Sequence, residues 1–142
     1  MMMAEEVTIN GIKYDLNKEG DGTATVIASD YSGDVVIPES FNYNGKEYSV
    51  TAIGDGAFVG CKSLSSIAIP STVSRIGKYA FEGCTGLTSV HISDLKAWCK
   101  IDFNDHRYYP SCNPLQYAHH LYLNGEEIKD LVNPSGVTEI YG

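Results

Sequence analysis

The 142-residue sequence predicts a β-rich α+β solenoid: a stack of 23-residue coils with an N-terminal β-hairpin cap and a helix, loop and hairpin insert near the C-terminal end. Three observations carry this. Residues 50–69 (VTAIGDGAFVGCKSLSSIAI) and 73–92 (VSRIGKYAFEGCTGLTSVHI) agree at ten of twenty positions, where average composition gives roughly one or two. Isoleucine (12) and valine (10) outnumber leucine (8), as expected where core positions lie on strands. Asn-Gly, the strongest two-residue hairpin signal, occurs at Asn10-Gly11, Asn44-Gly45 and Asn124-Gly125.

The elements follow in order along one continuous domain. Residues 1–49 form a β-cap and the first rung. Val7-Thr8-Ile9 and Ile12-Lys13-Tyr14 flank the first Asn-Gly, and a turn at Asp21-Gly22 leads into the strand Thr23 to Ile27. Such a cap covers the apolar end that a bare solenoid exposes. The first rung is Val35-Val36-Ile37-Pro38, and residues 39–49 insert a hairpin before the repeats proper.

Residues 50–93 hold two complete coils. In Leu-x-x-Ile-x-Ile the aliphatics lie two apart, so Ile67 and Ile69 face one side of a strand and Ser66 and Ala68 the other. A Val-x-x-Ile-Gly step follows, its glycine taken to adopt a conformation that other residues resist. Ala-Phe-x-Gly-Cys then fits a single helical turn, with Phe58 or Phe81 filling the interior and the glycine ending the turn. Each unit leaves an apolar face bare unless another stacks on it, so the architecture is a stack.

Residues 94–142 break the pattern. Asp94 can N-cap a short helix through Trp98 and Cys99, an irregular aromatic stretch follows, and Asn124-Gly125 closes a hairpin. Asn133 to Ile140 repeats Ile69 to Ile76 and the chain then stops, which suggests a piece of a longer protein. Strand rungs are expected near 35–37, 66–69, 89–92 and 130–132.

Charge excludes some functions. Lys and Arg number 10 against 18 Asp and Glu, a net −8, and residues 1–60 alone hold ten acids against Lys13, Lys18 and Lys46. Nucleic acid and anionic membrane surfaces both need a basic face, so neither is expected as the main partner. No run of 18 apolar residues exists, so direct membrane insertion is not expected either. Met1 to Glu6 has neither a basic n-region nor an apolar h-region, which leaves the compartment open.

Few constellations point to chemistry. Cys99, His106, Cys112, His119 and His120 could supply zinc ligands, but no pair has the short spacing of a structural site, and a buried Cys99 beside Trp98 accounts for the same residues. Asn17 to Gly22 resembles the start of a calcium loop, yet Ala28 falls where a bidentate glutamate is needed, so a solvated turn is the simpler reading. Cys61 and Cys84 should stack as free thiols about one strand spacing, ~4.8 Å, apart. A Cys99–Cys112 bridge stays open, since an oxidising compartment would permit it. Trp98, Phe103, Tyr108, Tyr109, Tyr117 and Tyr122 could form a binding platform or the small core of the insert, and the core is favoured. No phosphate loop or nucleophile elbow is present, and no catalytic, cofactor-binding or metal-binding residues are expected.

The unit Val-x-x-Ile-Gly-x-x-Ala-Phe-x-Gly-Cys-x-x-Leu-x-x-Ile-x-Ile-Pro, at a spacing of 23, resembles the BspA-type leucine-rich repeat of surface and secreted proteins of Bacteroides-like bacteria. Gly11 to Tyr14, Ser32 to Pro38, Asp94 to Cys99 and Tyr117 to Gly125 also resemble stretches of such proteins, so the likeness covers nearly the whole chain. The resemblance implies an extracellular or cell-surface, non-enzymatic role in adhesion or protein binding, with a protein or glycan as ligand. Only two complete units occur here, whereas members that bind through an extended face have many. In leucine-rich-repeat solenoids the sheet face commonly carries ligands. Its outward columns here are Asp34/Ser66/Ser89/Asp130 and Val36/Ala68/His91/Val132, and the expected ligand face is Ser66, Ala68, Ser89 and His91. An architectural spacer, or an accessory segment of an enzyme whose catalytic domain lies elsewhere, are the competing roles.

Overall fold

The computed structural model describes residues 5–17, 22–102, 118 and 120–128. Like stacks on like. Strands β7 (Leu64–Ile69) and β9 (Ser89–Ile92) pair in parallel with Ser66 against Ser89, Ile67 against Val90, Ala68 against His91 and Ile69 against Ile92, a constant offset of 23. On the other side of β7, β4 (Gly33–Val36) pairs in parallel and sets Val35 against Ile67 and Val36 against Ala68. Ile67, Ile69, Val90 and Ile92 point inward and are buried, as the alternation requires.

Each coil also contributes to a second parallel ladder, which the sequence read only as a step. Strands β3 (Thr23–Val26), β6 (Lys46–Ile53) and β8 (Arg75–Ile76) bring Val26, Ile53 and Ile76 into one buried column. Antiparallel β1 (Glu5–Ile9) and β2 (Ile12–Leu16) extend this sheet beyond the first coil, with Tyr14 against Val26. They are the expected cap, and Tyr14 is fully buried against Phe41, ring centroids 4.4 Å apart. Strand β5 (Ser40–Tyr43) is the first half of the hairpin insert and pairs with β6. Asn and Gly both take positive φ at Asn10-Gly11, Asn44-Gly45 and Asn124-Gly125, the mirror-image turn that matches strand twist.

The Ala-Phe-x-Gly-Cys segment is not a helical turn. Ala57, Val59 and Cys61 donate to carbonyls three residues back, while the alternating amides of Gly56, Phe58 and Gly60 donate to Lys78, Ala80 and Glu82 of the next coil at 2.7–2.8 Å. An α-helix satisfies its amides internally and has none to spare for a neighbour. A succession of tight turns uses half of them to bind coil to coil.

Inside these turns the rings form a ladder. Phe58 and Phe81 stack at 5.1 Å and 3°. Tyr31 closes the stack beside Phe58 at 4.6 Å, donating its hydroxyl to Ile27 O and accepting from Lys13 N–H. The buried thiols of Cys61 and Cys84 are unpaired with each other, as expected. Cys84 donates to Phe58 O at 3.0 Å and Cys61 to Ser29 O at 3.6 Å, each reaching the preceding coil.

Burial, reinforced by the neighbouring Cys61, pushes the Cys84 thiol up to about 12 from an ordinary value of 9.0. A raised pKa in the fold means that the folded state holds its proton more tightly. Its contribution is therefore complete below about pH 9 and drains away as pH climbs toward 12. Burial likewise raises Tyr14 to about 12. The urea midpoint is expected to fall over pH 9–12, and to fall less steeply in Cys84→Ala, which keeps only the tyrosine contribution. Below that range Cys84 should resist thiol reagents until urea opens the fold.

The helix α1 (Leu95–Cys99) starts as the sequence predicts: Asp94 Oδ1 accepts from Ala97 N–H at 3.1 Å. Trp98 is buried, lining a crevice with Ile69, Ile92 and Ile101. Among the described residues no helix is long and apolar enough to cross a membrane. The turn at Lys18 to Asp21, the segment from Phe103 to Tyr117, and the repeat start at Asn133 to Ile140 lie outside the described residues.

Candidate functional site

Where an in-and-out strand alternates and its inner face is buried, the outer face is what remains to meet a partner. In the β4–β7–β9 sheet that face consists of two rows across the strands. One contains Asp34, Ser66 and Ser89, the other Val36, Ala68 and His91. The structure thus brings Ser66, Ala68, Ser89 and His91 together as a contiguous block at the middle of the sheet, each half-buried.

Beyond β9 the rows pass onto a strand other than the one expected from the repeat. The strand beside β9 is β10 (Leu121–Leu123), parallel to it with Leu121 against Val90 and Tyr122 against His91. The expected fourth rung at 130–132 lies outside the described residues, and the rung in place comes from the Asn124-Gly125 hairpin, whose return strand is β11 (Glu126–Glu127). Leu121 is buried where Val90 is. Leu-Tyr-Leu therefore has the alternation of a rung without the Ile-x-Ile-Pro signature that marks the others.

This correction adds chemistry to the face. The His91 ring stacks on Tyr122 at 4.8 Å and 14°, and its Nε2 lies 3.2 Å from Ser89 Oγ. His120, whose carbonyl accepts from Val90 N–H, pairs through Nδ1 with Glu127. At the opposite margin Ser65 and Ser66 both donate to Asp34 Oδ1, at 3.1 and 2.8 Å, and Val36 is 69% exposed. The result is a floor of small side chains with a stacked imidazole–phenol step on one side and a carboxylate and an apolar side chain on the other. A step of aromatic edges beside a low floor supplies contact area with few rotors to immobilise.

Of the sulfur and imidazole set, Cys99 lies in α1 with its thiol free, so the Cys99–Cys112 bridge is not formed, and His120 is on the sheet; His106, Cys112 and His119 lie outside the described residues. The aromatic stretch divides likewise. Trp98 is core, Tyr122 is on the face, and Phe103, Tyr108, Tyr109 and Tyr117 are not described.

Comparison with known proteins gives the arrangement its kin. A family profile described as "BspA type Leucine rich repeat region (6 copies)" matches residues 39–141. No curated protein sequence matches. Among solved structures, a leucine-rich cell surface protein from Faecalibacterium prausnitzii is 34% identical with a TM-score of 0.57, over 66% of this chain and 24% of that one. A leucine-rich-repeat protein from Bacteroides ovatus is 38% identical with a TM-score of 0.52, over 62% of this chain and 23% of that one. Another from Bacteroides capillosus is 26% identical with a TM-score of 0.55, over 84% of this chain and 99% of that one. This chain thus spans about a quarter of the first two. With a matching repeat profile over most of its length and coils stacked at the offset its sequence sets, the chain belongs to the BspA-type leucine-rich-repeat family.

Proposed function

We propose that the protein is a non-enzymatic, cell-surface interaction module that binds a protein or glycan through the outer face of the β4–β7–β9–β10 sheet. The observation that carries this is the face itself: Ser66, Ala68, Ser89 and His91 form a low, half-exposed floor against the His91–Tyr122 step, held rigid by a continuous ladder behind it. Preformed faces of this kind lose little entropy on binding. Similarity to the leucine-rich cell surface protein of Faecalibacterium prausnitzii supports the location. An architectural spacer has no need of such a face.

Ala68→Arg with His91→Glu separates the two roles. Both side chains point outward, so the double variant should melt like the parent. Screened against host matrix proteins and a glycan array, the parent is expected to give defined hits that the double variant loses. Hits of equal strength from both proteins would move the binding off this face, and none from either would favour the spacer.

A further inference from the structure

We propose that the free edge of β4, which borders the face just described and presents backbone groups that the face does not use, docks an extended, basic strand of another polypeptide. The two sheets end differently at the N-terminal end of the stack. One runs past the first coil into β2 and β1, whereas the other stops at β4 with no strand beyond it among the described residues. Hydrogen-bond parity decides which groups that edge carries. Gly33 N–H donates to Ser63 O at 2.9 Å and Ile37 N–H to Ala68 O at 3.0 Å, both toward β7. Along a parallel strand the alternate peptide groups, those of Asp34 and Val36, then turn to the open side.

Such a row of donors and acceptors is a template for one more strand. The common obstructions are missing: Gly33-Asp34-Val35-Val36 contains no lysine and no proline. Asp34 does not block the edge, because its carboxylate is drawn toward β7 by the hydroxyls of Ser65 and Ser66. Val36, at 69% the most exposed large hydrophobic residue described, offers an incoming strand an apolar contact.

Charge selects the occupant. No lysine or arginine occurs between Lys18 and Lys46, and Asp30, Asp34 and Glu39 are all exposed in or beside β4. A second copy paired edge to edge would set these carboxylates against their own kind, which is unfavourable across a strand pair. A strand with lysine or arginine at alternate positions gains where the second copy loses.

The test is a titration of the full chain with a short capped peptide in which lysine and valine alternate, followed by amide NMR. The Asp34 and Val36 amides should move, and N-methylation of alternate peptide amides should abolish the effect. Val36→Pro removes an edge donor that takes no part in the ladder, and should weaken binding about tenfold or more without changing the melting curve. Asp34→Lys should shift preference to a peptide with glutamate in place of lysine, which keeps the proposal decidable should the proline variant not fold. Shifts confined to Ser66, Ala68 and His91, or undiminished binding by Val36→Pro, would overturn it. So would a dimer of the chain alone that Val36→Pro disrupts, which assigns the edge to a second copy.

Discussion

Phe81→Ala is expected to lower stability by about 3–5 kcal/mol, the cost of deleting a buried aromatic side chain whose surroundings cannot close on the space. Phe81 is fully buried, with its ring parallel to that of Phe58 at 5.1 Å. The cavity has stiff walls. On one side the turn of the preceding coil is tied down by the bonds from Gly56, Phe58 and Gly60 to the backbone around Phe81 itself. On another, Cys84 N–H donates to Phe81 O and its thiol to Phe58 O. Collapse into the void would break these bonds, so the loss sits at the full transfer-plus-cavity value. Because coils in a solenoid rest only on their neighbours, the damage also reduces cooperativity between the N-terminal coils and α1. Urea unfolding followed by circular dichroism measures both: the midpoint should fall and the transition broaden. A change below about 1 kcal/mol is the size of an exposed substitution and would contradict the interior ring ladder.

Why that ladder could be read from sequence, and other features could not, has a physical explanation. The offset of 23 between residues 50–69 and 73–92 is the register itself, since like side chains pack best above like, and β7 pairs with β9 at that offset. Asn-Gly turns and the Asp94 cap were legible because each is a local backbone requirement met by few residue types. The second ladder was not. In β6 a register shift opposite Ala24 and Thr25 puts Val50 and Ile53 both in the core although they are three apart. An extra residue in a strand resets its alternation, and period-two pattern reading fails there. Tyr31 is hidden from the repeat pattern for a related reason. Val26 and Val35 are nine apart, whereas their partners Ile53 and Ile67 are fourteen apart, so the first coil is short and its ring has no aligned position. At the face, strand alternation identified Ser66, Ala68, Ser89 and His91. Tyr122 and His120 arrive through a hairpin and lie outside the repeat's signature, so only the paired register reveals them.

Gly77→Ala is expected to cost about 1–3 kcal/mol, the range for overpacking, although alanine is otherwise the easier residue to order. The sequence suggests that the glycine of Val-x-x-Ile-Gly serves an unusual backbone conformation, but Gly77 is not among the residues with positive φ. Its reason is proximity. A Cβ there would lie 2.2 Å from Asp55 Oδ1, 2.6 Å from Asp55 N and 2.9 Å from Asp55 Cα. The carboxylate could rotate away only by releasing Lys78 N–H, which it holds at 2.9 Å. The two backbone atoms cannot rotate at all, and Gly77 N–H is itself fixed to Ile53 O at 2.8 Å. Coil spacing must therefore widen locally, straining the ladder above and below. Gly54 occupies the same position one coil earlier, yet its nearest neighbours would be Val26 O at 3.1 Å and Thr25 Cγ2 at 3.2 Å, so Gly54→Ala should cost distinctly less. Adding Asp55→Ala to Gly77→Ala should restore only part of the loss, since it removes the side-chain clash and leaves the backbone one. Thermal melts of the two single variants and the double variant measure this. Equal costs at Gly54 and Gly77 would mean that the contact with Asp55 does not decide the loss, whereas full rescue by Asp55→Ala would mean that its side chain, and not the backbone contact, sets the distance between coils.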